Sequence, residues 1–226
     1  MSRNTRYSEK TKTIAAVGLF SALAYVACVL FHFKAGFLTF DLKDAFMAVG
    51  AMMFGPLYGL AMVLIVSLIE AVTIGSTGIY GFIMNVLSSS AFVCVGSLIY
   101  YKRRKMSTAV VAMAASVISM TAVMMAANLL ITPYYMNVSV EAVGKMIPTL
   151  FLPFNLTKAV FNAALTFILY APITLALTKA GFIHMEIGKS EKTPKRTVII
   201  MVCAALVAVA ALVYFFIGLD GAFKFV

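Results

Sequence analysis

Six apolar stretches, residues 13–33, 57–74, 79–101, 107–131, 155–178 and 197–219, run for about the length of chain that crosses a bilayer. A hydrocarbon core of about 30 Å takes about 20 helical residues. Lipid offers no partner to backbone N–H and C=O groups, so only helices and closed barrels survive there. The short alternating segments of a membrane barrel are absent. Composition agrees: the chain is 63% hydrophobic and 12% charged, with a mean hydropathy of +1.02, whereas a soluble domain is roughly half apolar. The expected class is an all-α integral membrane protein. A seventh run, residues 45–54, is short and ends at Gly55-Pro56. It reads as a short or irregular membrane helix.

The formal net charge of +10 raises the question of nucleic acid, and the placement of the charges answers it. Basic residues cluster in three tracts between apolar runs, Arg3 to Lys12, Lys102 to Lys105 and Lys179 to Arg196, carrying four, four and five Lys and Arg. That is a topology signal, and no nucleic-acid partner is expected. With the N-terminus in the cytoplasm and seven crossings, all three tracts fall inside. Lys34, Lys43, Lys145, Lys158 and Lys224 then fall at the outer side, where the C-terminus also lies. Counting residues 45–54 as a crossing is what keeps the first two tracts on one side. The outer connections are residues 34–44, a glycine-rich turn at 75–80, and 132–154, expected to be the longest loop. Their unequal lengths mark the outer face as the ligand-bearing one.

The domain reading is a membrane bundle over residues 1–180, a polar cytoplasmic linker over 181–196, and a further membrane helix with a short outer tail over 197–226. Residues 14–33 are too long for a signal-peptide core. Cys28, Cys94 and Cys203 each lie within an apolar run without metal-ligand spacing, and read as small buried hydrophobes. No metal site or cofactor is expected.

No enzyme constellation is present. His32 and His184 fall at opposite membrane surfaces, and no zinc-protease, nucleophile-elbow or P-loop motif occurs. Gly75-Ser76-Thr77-Gly78 lacks a lysine and reads as a plain turn. The chain is therefore not expected to be an enzyme, and an energy source would be another polypeptide or an ion gradient.

Polar residues at the edges of the apolar runs remain. In Leu152-Pro153-Phe154-Asn155-Leu156-Thr157-Lys158, an amide and an ammonium stand three apart on one helix face. Such groups at the mouth of a membrane helix face protein, water or a ligand. An amide offers a donor and an acceptor side by side, which suits a ring edge carrying a carbonyl beside an N–H, as in a pyrimidine or flavin. Asn128 lies near the same mouth. Asn85 and Asn162 are balanced between a ligand role and an interhelical hydrogen bond. Glu70 is expected to pair with a lysine or to reach water. Phe37, Phe40, Tyr80 and Tyr134 could pack on a flat ring.

Three segments carry a resemblance: Phe37-Leu38-Thr39-Phe40-Asp41-Leu42-Lys43-Asp44, Phe54-Gly55-Pro56-Leu57-Tyr58-Gly59, and Pro153-Phe154-Asn155-Leu156-Thr157-Lys158. Over roughly residues 10–180 the chain resembles the substrate-binding S components of energy-coupling factor (ECF) vitamin transporters. The last segment resembles the riboflavin-specific type. The resemblance implies a six-helix bundle that binds a vitamin near the outer membrane face. It also implies three partners, a transmembrane coupling subunit and two ATP-binding-cassette ATPases that hydrolyse the ATP. Asn155 and Lys158 inherit flavin contacts, Asn128 is placed beside them, and the first outer loop, Leu38, Thr39, Phe40 and Asp41, is expected to touch the ligand. Asn85 and Tyr80 complete the expected site. Gly18 and Ala22, small residues spaced by four, match the docking face for the coupling subunit. Two features depart from the pattern: the C-terminal run 197–219, and Glu70 where a basic residue is expected. Alternatives are FMN or another vitamin as the ligand, with Lys34, Lys43 and Lys145 available to a phosphate, or an ion-coupled carrier using Glu70 and Lys158.

Overall fold

In the computed structural model, residues 3–182, 195–219 and 222–223 are described. Eight α-helices run in chain order: α1 (Arg3–Leu30), α2 (Lys43–Phe54), α3 (Pro56–Thr73), α4 (Gly78–Lys102), α5 (Met106–Met136), α6 (Val140–Met146), α7 (Leu152–Lys179) and α8 (Lys195–Gly218). Among the described residues, six helical stretches are long and apolar enough to cross a membrane; one of them runs unbroken from Val140 to Lys179. Their outward faces carry large apolar side chains, including Leu57, Val72, Leu130 and Ile217, each at least 70% exposed. A surface this apolar suits lipid rather than water.

Helix α2 is the exception, at 12 residues with ten of them buried. It would span about 18 Å, short of the bilayer, yet it occupies the centre of the bundle against α1, α3, α4 and α7. The chain before it dips into the protein, so the helix begins well below the surface. Asn162, nearly three turns into α7, caps it from the side: its Oδ1 accepts from the Ala45 N–H at 3.0 Å and its Nδ2 donates to the Asp41 carbonyl at 3.1 Å. This resolves Asn162 as an interhelical structural residue. Small residues permit the crowding. A Cβ on Gly59 would meet the Ala51 Cβ at 2.7 Å.

Among the described residues, the first two basic tracts and the start of the third, at the end of α7, share one end of the bundle. Arg104 donates to the carbonyl of Met53 at the end of α2, and Lys12 donates to the carbonyl of Gly181 beyond α7. Helix α2 therefore runs from the opposite end to the basic end, as a crossing should.

Two expectations are corrected. Residues 132–154 are not a loop. Helix α5 continues through Pro133 to a left-handed stop at Asn137 (φ 56°), Ser139 accepts from the Ala142 N–H as an N-cap, and α6 passes through a π-helical stretch, Ile147–Phe151, into α7. A proline in the last turn of α5 and another in the π-helical stretch interrupt the hydrogen-bond ladder without ending the helical path. The cysteines are also not uniformly buried: Cys28 is, Cys94 is half-buried and Cys203 is exposed on α8.

Among the described residues, nearly all helical, there is one small sheet. Strands β1 (Phe33–Ala35) and β2 (Leu38–Phe40) form an antiparallel hairpin whose two-residue turn uses Gly36 at φ 61°, a conformation open to glycine in such turns. A third strand, β3 (Ala222–Phe223), pairs with β1 from the far end of the chain. Helix α8 packs on α7. His184, most of the 181–196 linker and the tail beyond Leu219, save Ala222–Phe223, lie outside the described residues.

Candidate ligand site

At the end of the bundle opposite the basic tracts, a cavity of about 980 Å³, its open mouth included, lies among the hairpin, the α3–α4 turn, α4, α5 and α7. Of the expected site residues, Leu38, Thr39, Tyr80, Asn85, Asn128, Asn155 and Lys158 all line it. Residues up to 120 positions apart in sequence thus meet around one space.

Asn155 is held ready rather than used up. The π-helical stretch places the Phe151 carbonyl above it, and one Nδ2 hydrogen donates there at 2.8 Å. The other hydrogen and Oδ1 have no partner among the described residues, which leaves a donor and an acceptor side by side. One turn on, Lys158 is 5% exposed and turned inward, not toward the surface. Its Nζ donates to the Asp41 carboxylate at 2.8 Å and to the Thr39 carbonyl at 3.1 Å, so one of its three hydrogens remains for a ligand. Asn128 is oriented by Met124 and Thr132, at 2.7 and 2.9 Å, and Asn85 donates to Glu70 at 2.9 Å.

Phe40 and Asp41, expected to touch a ligand, do not line the cavity. Phe40 is instead buried in a cluster with Phe154 and Phe161. Asp41 is fully buried behind Lys158 and 3.7 Å from Lys43. Burial raises its carboxyl pKa, but Lys158 and Lys43 outweigh that and hold it down to about 2. Lys43 also pairs with Glu70. The chain Lys158–Asp41–Lys43–Glu70–Asn85 therefore runs as one buried line of alternating partners beneath the cavity. Cys28, Asp41 and Glu70 approach one another as metal ligands would, within 4.8 Å. The Lys43 ammonium already meets both carboxylates, so a side chain supplies the cation there.

Several lining residues lay beyond the sequence reading. The glycine-rich turn is part of the wall, through Gly75, Ser76, Thr77 and Gly78. His32 also lines it; burial, and then the charge of Lys34, lower its pKa. Tyr134 is 74% exposed and faces outward; its neighbour Tyr135 lines the cavity instead and meets Phe37 and Tyr80 with ring centroids 6.2 Å apart in each case. Helical phase at the end of α5 decides between the two tyrosines, and the sequence alone did not give it. On α1, Gly18 and Ala22 face away from the bundle, and a Cβ on Gly18 would touch nothing within 4 Å. Their smallness thus serves no packing among the described residues.

The family model for the substrate-specific component of ECF transporters matches residues 12–170. The chain belongs to that family. It is a multi-pass membrane protein and the substrate-specific component of an ECF transporter, a binding subunit rather than an enzyme. The fold of this S component is similar to a solved structure described as the S component of a bacterial ECF transporter, at 22% identity and a TM-score of 0.64, over 74% of this chain and 98% of that one. No curated protein matches the chain. The family match ends at residue 170, within α7 and before α8.

Proposed function

We propose that this S component binds riboflavin at the outer membrane face and passes it inward, with a coupling subunit and two ATP-binding-cassette ATPases as its partners. The observation that carries the ligand is Asn155. Its free amide edge opens into the cavity beside the one uncommitted hydrogen of Lys158, while Phe37, Tyr80 and Tyr135 offer aromatic faces at the rim. A flat ring with a carbonyl next to an N–H satisfies the amide, and a ring acceptor satisfies the ammonium. The remaining polar groups of Asn128, Ser76 and Thr77 suit the hydroxyls of a ribityl chain. The basic residues toward the opposite end support a cytoplasmic setting for it, with the N-terminus inside and the C-terminus outside.

The charges favour riboflavin over FMN. The cavity wall carries one lysine, already bonded to Asp41, and one carboxylate, Glu70. Lys43 is fully buried against Glu70, Lys145 pairs with Glu141 at the surface, and neither it nor Lys34 lines the cavity. A phosphate would enter without a free cation. Calorimetry with riboflavin, FMN, thiamine, biotin and folate tests the reading: riboflavin binds tightest and FMN at least about tenfold more weakly, a gap of about 1.4 kcal/mol. Tighter binding of any other member of the panel rejects the assignment. Asn155→Ala weakens riboflavin by about 1–3 kcal/mol through the loss of a buried hydrogen-bond partner.

The outward stripe of Gly18 and Ala22 supports docking of the coupling subunit, since small residues let helices approach closely in lipid. Replacing both with Leu leaves riboflavin binding intact and abolishes uptake in cells that express all the subunits. Loss of binding by the isolated protein would place these residues in the fold instead.

A further inference from the structure

The hairpin that supplies Leu38 and Thr39 to the cavity rests on the C-terminal segment. Phe215 of α8 has no exposed surface. Its ring centre lies 4.6 Å from that of Phe40, 6.2 Å from Phe33 and 6.3 Å from Phe154. Phe216 meets Phe33 edge-on at 5.5 Å. Beyond the helix, β3 adds backbone pairing to β1, with Phe33 opposite Phe223 and Lys34 opposite Ala222. An isolated two-stranded hairpin is marginal in stability, and a third strand or a packed helix is what secures one. Here both come from residues outside the family match. Phe40 lies outside the cavity and adjoins Thr39, which lines it, so the packing of Phe40 against Phe215 sets where Thr39 stands. The Thr39 carbonyl in turn orients Lys158.

We propose that the C-terminal helix is a positioning element of the ligand site, with Phe215 bracing the hairpin against the cavity from outside the six-helix bundle. Its effect on the ligand rests on the riboflavin reading; its effect on the hairpin does not. The design keeps the two apart by measuring both in the full chain, in Phe215→Ala, in Phe215→Leu, and in Leu206→Ala on the exposed face of the same helix. In Phe215→Ala, hydrogen exchange rises across residues 33–40 while α3, α4 and α5 keep their protection. Riboflavin dissociates on the order of tenfold faster with little change in association, as expected when a wall of the site loosens. Phe215→Leu restores most of both, and Leu206→Ala changes neither.

Unchanged exchange at residues 33–40 in Phe215→Ala overturns the proposal. So does exchange that rises equally throughout the bundle, which marks a purely structural core residue. A full chain that does not bind riboflavin sinks the ligand assignment alone, and the exchange pattern still decides the brace.

Discussion

Lys158→Met abolishes riboflavin binding and destabilises the bundle together, the largest effect expected of any single change at the cavity. The ammonium has two roles. It offers its last hydrogen to the ligand, and it neutralises Asp41, which has no exposed surface. Removing one partner of a buried ion pair leaves an uncompensated charge and costs about 3–5 kcal/mol. Asp41→Asn in the same chain removes that charge. The double variant therefore recovers most of the thermal stability but none of the binding. Recovery of binding in the double variant would show that Lys158 acts only by holding the loop.

The second large effect lies where no ligand reaches. Lys43→Met strips both Asp41 and Glu70 of a shared cation, although Lys43 does not line the cavity. Asp41 keeps Lys158 at 2.8 Å, but Glu70 is left with the Asn85 amide alone, so one largely buried carboxylate loses its cation at a cost of about 3–5 kcal/mol. Pairing it with Glu70→Gln returns most of the stability, because a buried pair replaced whole is close to neutral. Thermal unfolding in detergent reads both variants. A Lys43→Met protein as stable as wild type would mean that the network is not closed to solvent. An ion-coupled carrier would need Glu70 or Lys158 free to exchange protons during transport. Each is instead tied to a lysine or an aspartate and to a further hydrogen-bond partner.

Much of this architecture was legible in the residues, for a physical reason. Lipid forces each long apolar run to satisfy its own backbone, so length and hydropathy locate helices directly. The distribution of Lys and Arg then groups the N-terminal tract, the 102–105 tract and the end of α7 at one end. Asn155 and Lys158 were legible because polar groups are conspicuous at a membrane helix end. What escaped was non-local. Nothing near Lys43 announces that its partner is Glu70, 27 positions away, and nothing near Phe33 announces a strand that returns from residue 223. Prolines at 133, 148 and 153 suggested a loop, because the rule that proline ends helices does not say when a π-helical turn will absorb one. Phe40 and Asp41 were grouped with Leu38 and Thr39 because they adjoin them. Phe40 packs among the rings of Phe154 and Phe161 behind the hairpin, and the chain then runs under Lys158.

The central claim is that the amide of Asn155 and the ammonium of Lys158 together hold a flavin. The visible absorption spectrum of the purified chain, before and after incubation with riboflavin, tests it most directly. Oxidised flavin bands that stay with wild-type protein through washing, and are lost from Asn155→Ala combined with the Lys158→Met and Asp41→Asn pair, are the expected result. A folded wild-type protein that remains colourless in the presence of riboflavin would contradict it.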